Sequence, residues 1–280
     1  MKTISTAASR YLEYMGLSME PASYEYLSRI SHAHLNTFPF ENISKLISYR
    51  DHVGRGYEIP SLEQFVDGYG QFHFGGTCFT QNSNVIRLLE ELGFDSYCVL
   101  LEDNHMGIIV ILDEERVFLD FGVAAPIFKP ICYERPGENI SEFGDDKVYL
   151  LPLSLQEHRY KFVRYTDGKK SGKEWEFFTR KKYKPSDFLP ALQCSFQLKS
   201  TFMSALRCQL WQTGQNRNVS LLNNKCRIRY VDRGPEEIRF ATVQEIEEFV
   251  AEELMLPKLP VRQAIDVLNG LGIDVFANDK

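Results

Sequence analysis

The 280-residue chain has no long apolar run. Its longest uninterrupted aliphatic stretch is IIVIL at residues 108–112, far short of the roughly 20 residues that a membrane span needs. The N-terminal segment MKTISTAASRYLEYMG lacks the apolar centre of a secretory signal, so a cytoplasmic location with reducing chemistry is expected. Nor is there a C-x-x-C: Cys78, Cys98, Cys132, Cys194, Cys208 and Cys226 are scattered, which excludes a zinc ribbon and a dithiol redox motif. An excess of positive charge is missing too. Against 32 basic residues stand 38 acidic ones, a formal net charge of −6. That balance argues against general nucleic-acid binding, where phosphate attraction needs a basic face, and favours a small-molecule substrate. Internal repeats and long Ser/Gly/Pro linkers are absent, so any boundary must be read from a change of periodicity.

What is present is an ordinary globular composition, 44% hydrophobic, 25% charged and 13% aromatic, with length enough for a substantial core. Three regions are expected. Residues 1–92 read as mostly helical and end in a helix opening near Cys78, where Val85, Ile86, Leu88, Leu89 and Leu92 recur at helical spacing and Gly93 suits a left-handed stop. Residues 93–188 change to short β-rich runs, SYCVLLE, GIIVIL, RVFLDFG, RYKFVRYT and EWEFFTRK, the last two flanking DGKKSGK; a β-barrel or curled antiparallel sheet is expected. Residues 189–280 mix strands (SALRCQLW, VSLL, CRIRYV, with a hairpin at Asn223 and Asn224) with one helix, TVQEIEEFVAEEL, whose capping box is Thr242 and Glu245. Helices, then antiparallel strands, then a mixed segment make an α+β pattern rather than a doubly wound sheet, which disfavours a dinucleotide fold.

The sharpest local feature is FGGTCF, residues 74–79, with two glycines before a cysteine that opens a helix. Glycine lets backbone approach a ligand closely, and the free N–H groups and dipole of a helix N-terminus stabilise a thiolate. Cys78 is thus placed for nucleophilic work; the alternative is a turn followed by a small buried hydrophobe. The other five cysteines lie in apolar or strand-like runs and read as structural. A cysteine nucleophile needs a base and an orienting acid. His32, His34, His52, His73 and His158 lie in polar or loop-like contexts and read as solvated or structural. His105 differs, because it stands at the entrance of GIIVIL and the next strand carries Asp120 inside an apolar VFLDFG, where an unpaired carboxylate is costly. A turn centred on Glu114 and Glu115 sets Asp120 opposite Ile109, on the face of His105 but about 13 Å along the strand. Contact then requires a turn nearer Leu112 and Asp113, a bulge or strong coiling.

Other features read more simply. The basic stretch 159–184, with ten Lys/Arg against three Asp/Glu, is a solvated hairpin or a surface for a phosphate-bearing ligand. His32-x-His34 lacks a neighbouring acidic ligand, so no metal site is expected. The acidic helix is a surface helix with Val243, Ile246, Phe249, Val250 and Leu254 inward.

In order and spacing, His34-x4-Pro39-Phe40-Glu41-Asn42, then Gly75-Gly76-Thr77-Cys78-Phe79-x-x-Asn82, then His105, then Asp120-Phe121-Gly122 resemble the arylamine N-acetyltransferases. The resemblance implies a helical bundle, a β-barrel and an α/β lid. It implies a Cys78–His105–Asp120 triad, with Phe40, Gly76, Thr77, Gly122, Val123 and Phe202 binding substrate. It also implies acetyl-CoA as co-substrate, an aromatic amine or hydrazine as acceptor, and no metal, nucleic acid or membrane partner. The implied mechanism is double displacement through an acetyl-cysteine, with backbone N–H groups near Thr77 and Cys78 as oxyanion donors. A cysteine amidase or amide synthase using the same residues, or a catalytically weakened binding protein of the same fold, are the alternatives. The chain departs from the family pattern at Phe74, where the family has arginine, at Thr80, where bacterial members usually have glutamate, and at Val123 and Ala124 after the D-x-G. Without that arginine, Glu41 is expected to be solvated, bonded to backbone or paired with another base.

Overall fold

The computed structural model describes residues 3–52 and 56–277. Residues 1–2, 53–55 and 278–280, which belong to the expected first and third regions, lie outside the described set. The helices are α1 (Thr6–Tyr14), α2 (Tyr24–Thr37), α3 (Ile43–Asp51), α4 (Leu62–Phe72), α5 (Cys78–Leu92), α6 (Leu189–Ser195), α7 (Val243–Glu252) and α8 (Val261–Gly270). Among the described residues, no helix is long and apolar enough to cross a membrane. Packing divides the chain into two compact units. The first comprises Met1–Thr37, Pro60–Val66 and Cys78–Phe188; the second comprises Phe38–Ile59, Asp67–Thr77 and Leu189–Lys280.

In the first unit α5 lies against the sheet of β2 (Asp95–Leu101), β3 (His105–Leu112) and β4 (Glu115–Leu119); the numbering leaves β1 for Phe40–Glu41, described below. The helix buries Val85, Ile86, Leu88, Leu89 and Leu92, and Gly93 stops it at φ +89°, the left-handed turn that glycine adopts without strain. A second antiparallel sheet runs β5 (Ile140–Phe143), β6 (Asp146–Ser154), β7 (Arg159–Thr166) and β8 (Lys169–Phe178). Its β7–β8 turn is only Asp167 and Gly168, both at positive φ, so the remainder of DGKKSGK belongs to β8. The expected barrel is not found as a closed ladder. Among the described residues, the isolated bridges Cys98–Tyr183 and Phe118–Ile131 are the pairings recorded outside the strands. After β4 the chain carries Pro126, Pro130 and Pro136, which lack the N–H a ladder needs, and the segment up to β5 forms no strand.

The second unit holds a five-stranded antiparallel sheet in the order β1, β9 (Arg207–Gln212), β10 (Arg217–Leu222), β11 (Lys225–Tyr230) and β12 (Glu236–Arg239). Its edge strand is β1, two residues of the Pro-Phe-Glu-Asn box, pairing Phe40 with Gln209 and Glu41 with Cys208. Within the mostly helical residues 1–92, so short a strand has no period to detect. The hairpin at Asn223 and Asn224 forms between β10 and β11, and α7 has its Thr242–Glu245 capping box. The single expected helix of this region is joined by α6 and α8. In α8, Val261, Ala264, Ile265 and Leu268 are buried, the i, i+3, i+4, i+7 pattern of an amphipathic helix.

Candidate active site

Cys78 is the first residue of α5 and is buried. The chain after β4 crosses directly over it. A Cβ added to Gly122 would lie 2.2 Å from the Cys78 Cα and 2.5 Å from its Cβ, so only glycine permits this approach. Gly122, one of the expected substrate residues, packs on the backbone of Cys78.

His105 opens β3, and Asp120 follows the last residue of β4. The turn between these strands is Asp113 and Glu114, at φ +47° and +71°, the two left-handed residues of a type I′ hairpin. Leu112 therefore faces Glu115, and Ile108 faces Leu119. Continuing that register sets Asp120 opposite Gly107 rather than Ile109. His105 is then the diagonal neighbour of Asp120, about 7–8 Å away between backbones and within reach of two side chains. His105 Nε2 donates to Asp120 Oδ2 at 2.6 Å. The other oxygen, Oδ1, accepts from Asn82 Nδ2 at 3.0 Å and from Gly122 N at 2.8 Å. Asn82, one helical turn beyond Cys78, also donates to Met106 O at 2.6 Å and accepts from Phe121 N at 2.8 Å. One amide thereby ties the cysteine helix to Asp120 and to the strand that carries His105.

Burial alone would lower the affinity of His105 for a proton. The charge and hydrogen bond of Asp120, with a further hydrogen bond and charge from Cys78, outweigh it and push the His105 pKa up to about 9. The imidazole thus meets the Asp120 carboxylate through Nε2, and its charged form is also favoured by Cys78. Two contributors lack any sequence signal. The Trp175 indole stacks on the His105 ring with centroids 4.4 Å apart. Arg164, buried on β7, donates to Val123 O at 2.7 Å and Ala124 O at 2.8 Å, which fixes the loop after Asp120. A periodicity reading treats both as ordinary members of a basic, aromatic hairpin.

The remaining expected site residues divide between the units. Val123 is buried in the first. In the second, the Phe40 and Phe202 rings meet edge to face at 5.7 Å, and Asn42 Nδ2 holds Phe202 O at 2.8 Å and Ala205 O at 2.6 Å. Gly76 and Thr77 are buried there, and Gly76 N donates to Glu41 Oε1 at 2.6 Å. Glu41 also accepts from Gly75 N and from the Ser44 backbone N–H and hydroxyl. Burial pushes its carboxyl pKa up, and these hydrogen bonds pull part of it back. Of the three expected replacements for the arginine, backbone bonding is the one found.

Four of the remaining cysteines are buried, whereas Cys194 on α6 is exposed and so departs from the structural reading. Burial pushes the Cys98 and Cys226 thiols up to about 12, which keeps them protonated. Both ring nitrogens of His34 are occupied, by the Tyr11 hydroxyl at 2.9 Å and Gln81 Oε1 at 3.1 Å. Within the basic stretch, Arg159, Lys161 and Lys170 make ion pairs with Glu157, Glu174 and Glu176, as in a solvated hairpin.

Comparison with known proteins follows the same lines. An N-acetyltransferase family model matches residues 23–259. No curated protein matches the chain by sequence. Among solved structures, the arylamine N-acetyltransferase of Salmonella typhimurium superposes with a TM-score of 0.78 at 14% identity, covering 96% of this chain and 100% of that one. The Mycobacterium marinum enzyme in complex with CoA gives 0.76 at 14% identity, covering 94% and 99%. A Bacillus cereus arylamine N-acetyltransferase described with a Cys-His-Glu catalytic triad gives 0.73 at 13%, covering 89% and 98%; the acid on the histidine of the present chain is Asp120. At these identities the structures show the fold, and with the family model spanning most of the sequence, the chain belongs to the arylamine N-acetyltransferase family.

Proposed function

We propose that the protein transfers an acetyl group from acetyl-CoA to an arylamine or hydrazine through an acetyl-Cys78 intermediate, with Cys78, His105 and Asp120 as the catalytic triad, in the cytoplasm. The observation that carries this is the 2.6 Å bond from His105 Nε2 to Asp120 Oδ2, with Cys78 coupled to the same imidazole at a helix N-terminus. The Mycobacterium marinum complex supports the choice of coenzyme A as the acyl carrier.

In the first half-reaction the Cys78 sulfur attacks the thioester carbonyl. The carbon–sulfur bond to coenzyme A breaks, and the departing thiolate takes the proton of the His105 imidazolium. Asp120 orients the ring and stabilises its charged form without itself taking the proton. In the second half-reaction the amine nitrogen attacks the acetyl carbonyl and His105 accepts its proton. The amide leaves, and the thiolate–imidazolium pair is restored. Backbone N–H groups near Thr77 and Cys78, at the start of α5, are the oxyanion donors.

Incubation with acetyl-CoA alone should release about one equivalent of coenzyme A per protein and leave acetyl on Cys78, and continuous release should require an arylamine. Sustained release with water alone would indicate a hydrolase. No release, or acetyl mapped to Cys98, Cys132, Cys194, Cys208 or Cys226, would overturn the assignment. Full activity in Cys78→Ala would do the same.

A further inference from the structure

We infer that Trp175 is a positioning residue of the reactive pair: its indole face fixes the plane of the His105 imidazole and favours its protonated form against Cys78. The inference rests on the reading of Cys78 and His105 as partners in thiol chemistry. Trp175 sits near the end of β8, and its cross-strand partner on β7 is Phe162. The Phe162 ring is fully buried and lies 5.3 Å from the indole at 26°. The indole is therefore backed by a fixed aromatic. It stacks on the imidazole at 4.4 Å with 24° between the planes, an arrangement in which the negative face of the indole meets a ring that carries positive charge when protonated.

The strand carrying Trp175 is anchored beside His105 through Glu176. Glu176 N donates to Glu102 Oε1 at 3.2 Å, and Glu102 N donates to Glu176 O at 3.0 Å. Glu102 begins the turn that delivers His105 into β3. Swinging the imidazole out of its plane would sacrifice the stack. Asp120 restrains only Nε2, and a single hydrogen bond leaves the ring free to swing about that contact. The indole removes this freedom and so directs Nδ1, the ring's other nitrogen.

The groups that set the charge of His105 are Asp120 from the end of β4, Cys78 from α5 and the indole of Trp175 from β8. Lys173 on β8 lies 5.6 Å above the same indole and 3.5 Å from Val123 O. Its charge faces the tryptophan and the backbone of the loop after Asp120.

The test is the pH profile of Cys78 alkylation by iodoacetamide, which needs no acetyl-CoA and reports the thiolate–imidazolium pair directly. In Trp175→Leu the basic limb of the profile should move down by about half to one pH unit, the range that loss of a cation–π contact implies. Trp175→Phe, which keeps an aromatic face, should restore most of the shift. Fluorinated tryptophan incorporated into a Trp211→Phe background weakens the negative face without changing its shape, and the limb should fall progressively with fluorination. This arm remains informative if the leucine variant melts early. An unchanged limb across the leucine and fluorinated proteins would overturn the inference. A wild-type protein that shows the Trp175-dependent profile but transfers no acetyl group would uphold the positioning role and overturn the transferase reading.

Discussion

His34 and His105 are both buried in the first unit, yet burial leaves the first with a pKa pushed down to about 4 while the second is pushed up to about 9. Desolvation lowers both. The difference lies in what each Nε2 meets. His34 donates to the neutral amide oxygen of Gln81 and accepts from Tyr11, so its neutral form is fully satisfied and a proton would bring an uncompensated charge. His105 donates to a carboxylate whose remaining oxygen is already held by Asn82 and Gly122, so the charged form is compensated. In this fold a buried histidine is held neutral or charged by one neighbour, an amide or an acid.

Removing the acid breaks the comparison most severely. In Asp120→Asn the side-chain oxygen still serves Asn82 and Gly122, which turns its NH₂ toward His105 Nε2. That nitrogen must then accept, and the ring carries its proton on Nδ1, the wrong tautomer for taking one from Cys78. Acylation, followed as the single-turnover release of coenzyme A, should fall by about three to four orders of magnitude, with the fold retained by circular dichroism. Unchanged acylation would remove Asp120 from the mechanism.

Stability against pH separates the two histidines next. His34 binds its proton more weakly folded than unfolded, so its contribution is complete above about pH 6.5 and is lost as pH falls toward 4. The loss reaches about 2 kcal/mol by pH 5 and about 3 kcal/mol by pH 4. His105 has the opposite sign, contributing fully below 6.5 and losing its contribution as pH rises through about 9. Urea unfolding at pH 7.5 and pH 5, comparing wild type with His34→Gln, should show a smaller deficit of the variant at the acid pH. A deficit that grows on acidification would contradict the neutral state of His34.

Gln81→Glu sharpens the contrast by giving His34 the partner that His105 has. The imidazole of His34, followed by NMR titration, should move from about 4 to above the ordinary histidine range. Stability at neutral pH should change by under about 2 kcal/mol, since a buried ion pair roughly recovers the cost of desolvating its charges. A titration still near 4 would mean that burial, rather than the partner, controls the charge at that site.

Much of this contrast was visible in the sequence, for identifiable reasons. Cys78 is marked by two glycines and the helical spacing of Val85, Ile86, Leu88, Leu89 and Leu92, and the helix begins and ends where that spacing places it. Asp120 is conspicuous because a lone carboxylate in an apolar strand needs a partner. The register that joins it to His105 was not legible, because Glu114, at φ +71°, is an uncommon residue for the second central position of a type I′ turn and the pairing shifts with the turn. Trp175 and Arg164 were hidden for a different reason. Each lies far along the chain from its partner, and nothing in an alternating strand says which neighbour it meets. Strand β1 was too short to show, and α8 was overlooked although its period is plain.

Glu41 supplies the smallest test, and extends the lesson from a buried base to a buried acid. Its carboxylate accepts from Ser44 N at 2.8 Å, Ser44 Oγ at 2.7 Å, Gly75 N at 3.1 Å and Gly76 N at 2.6 Å. The site is therefore satisfied by dipoles rather than by a cation. Phe74, where the family has arginine, is half-buried, and its ring lies 5.1 Å from that of Phe72. Phe74→Arg gives up that aromatic contact and half-buries a guanidinium, while Glu41 already has its four donors. The substitution should cost about 1 kcal/mol, a melting temperature lower by about 2–4 °C for a chain of this size, with acetyl transfer no faster than wild type. A higher melting temperature together with faster transfer would mean that the four donors are an imperfect replacement for the arginine, and that a buried carboxylate here, like the one on His105, performs best opposite a positive charge.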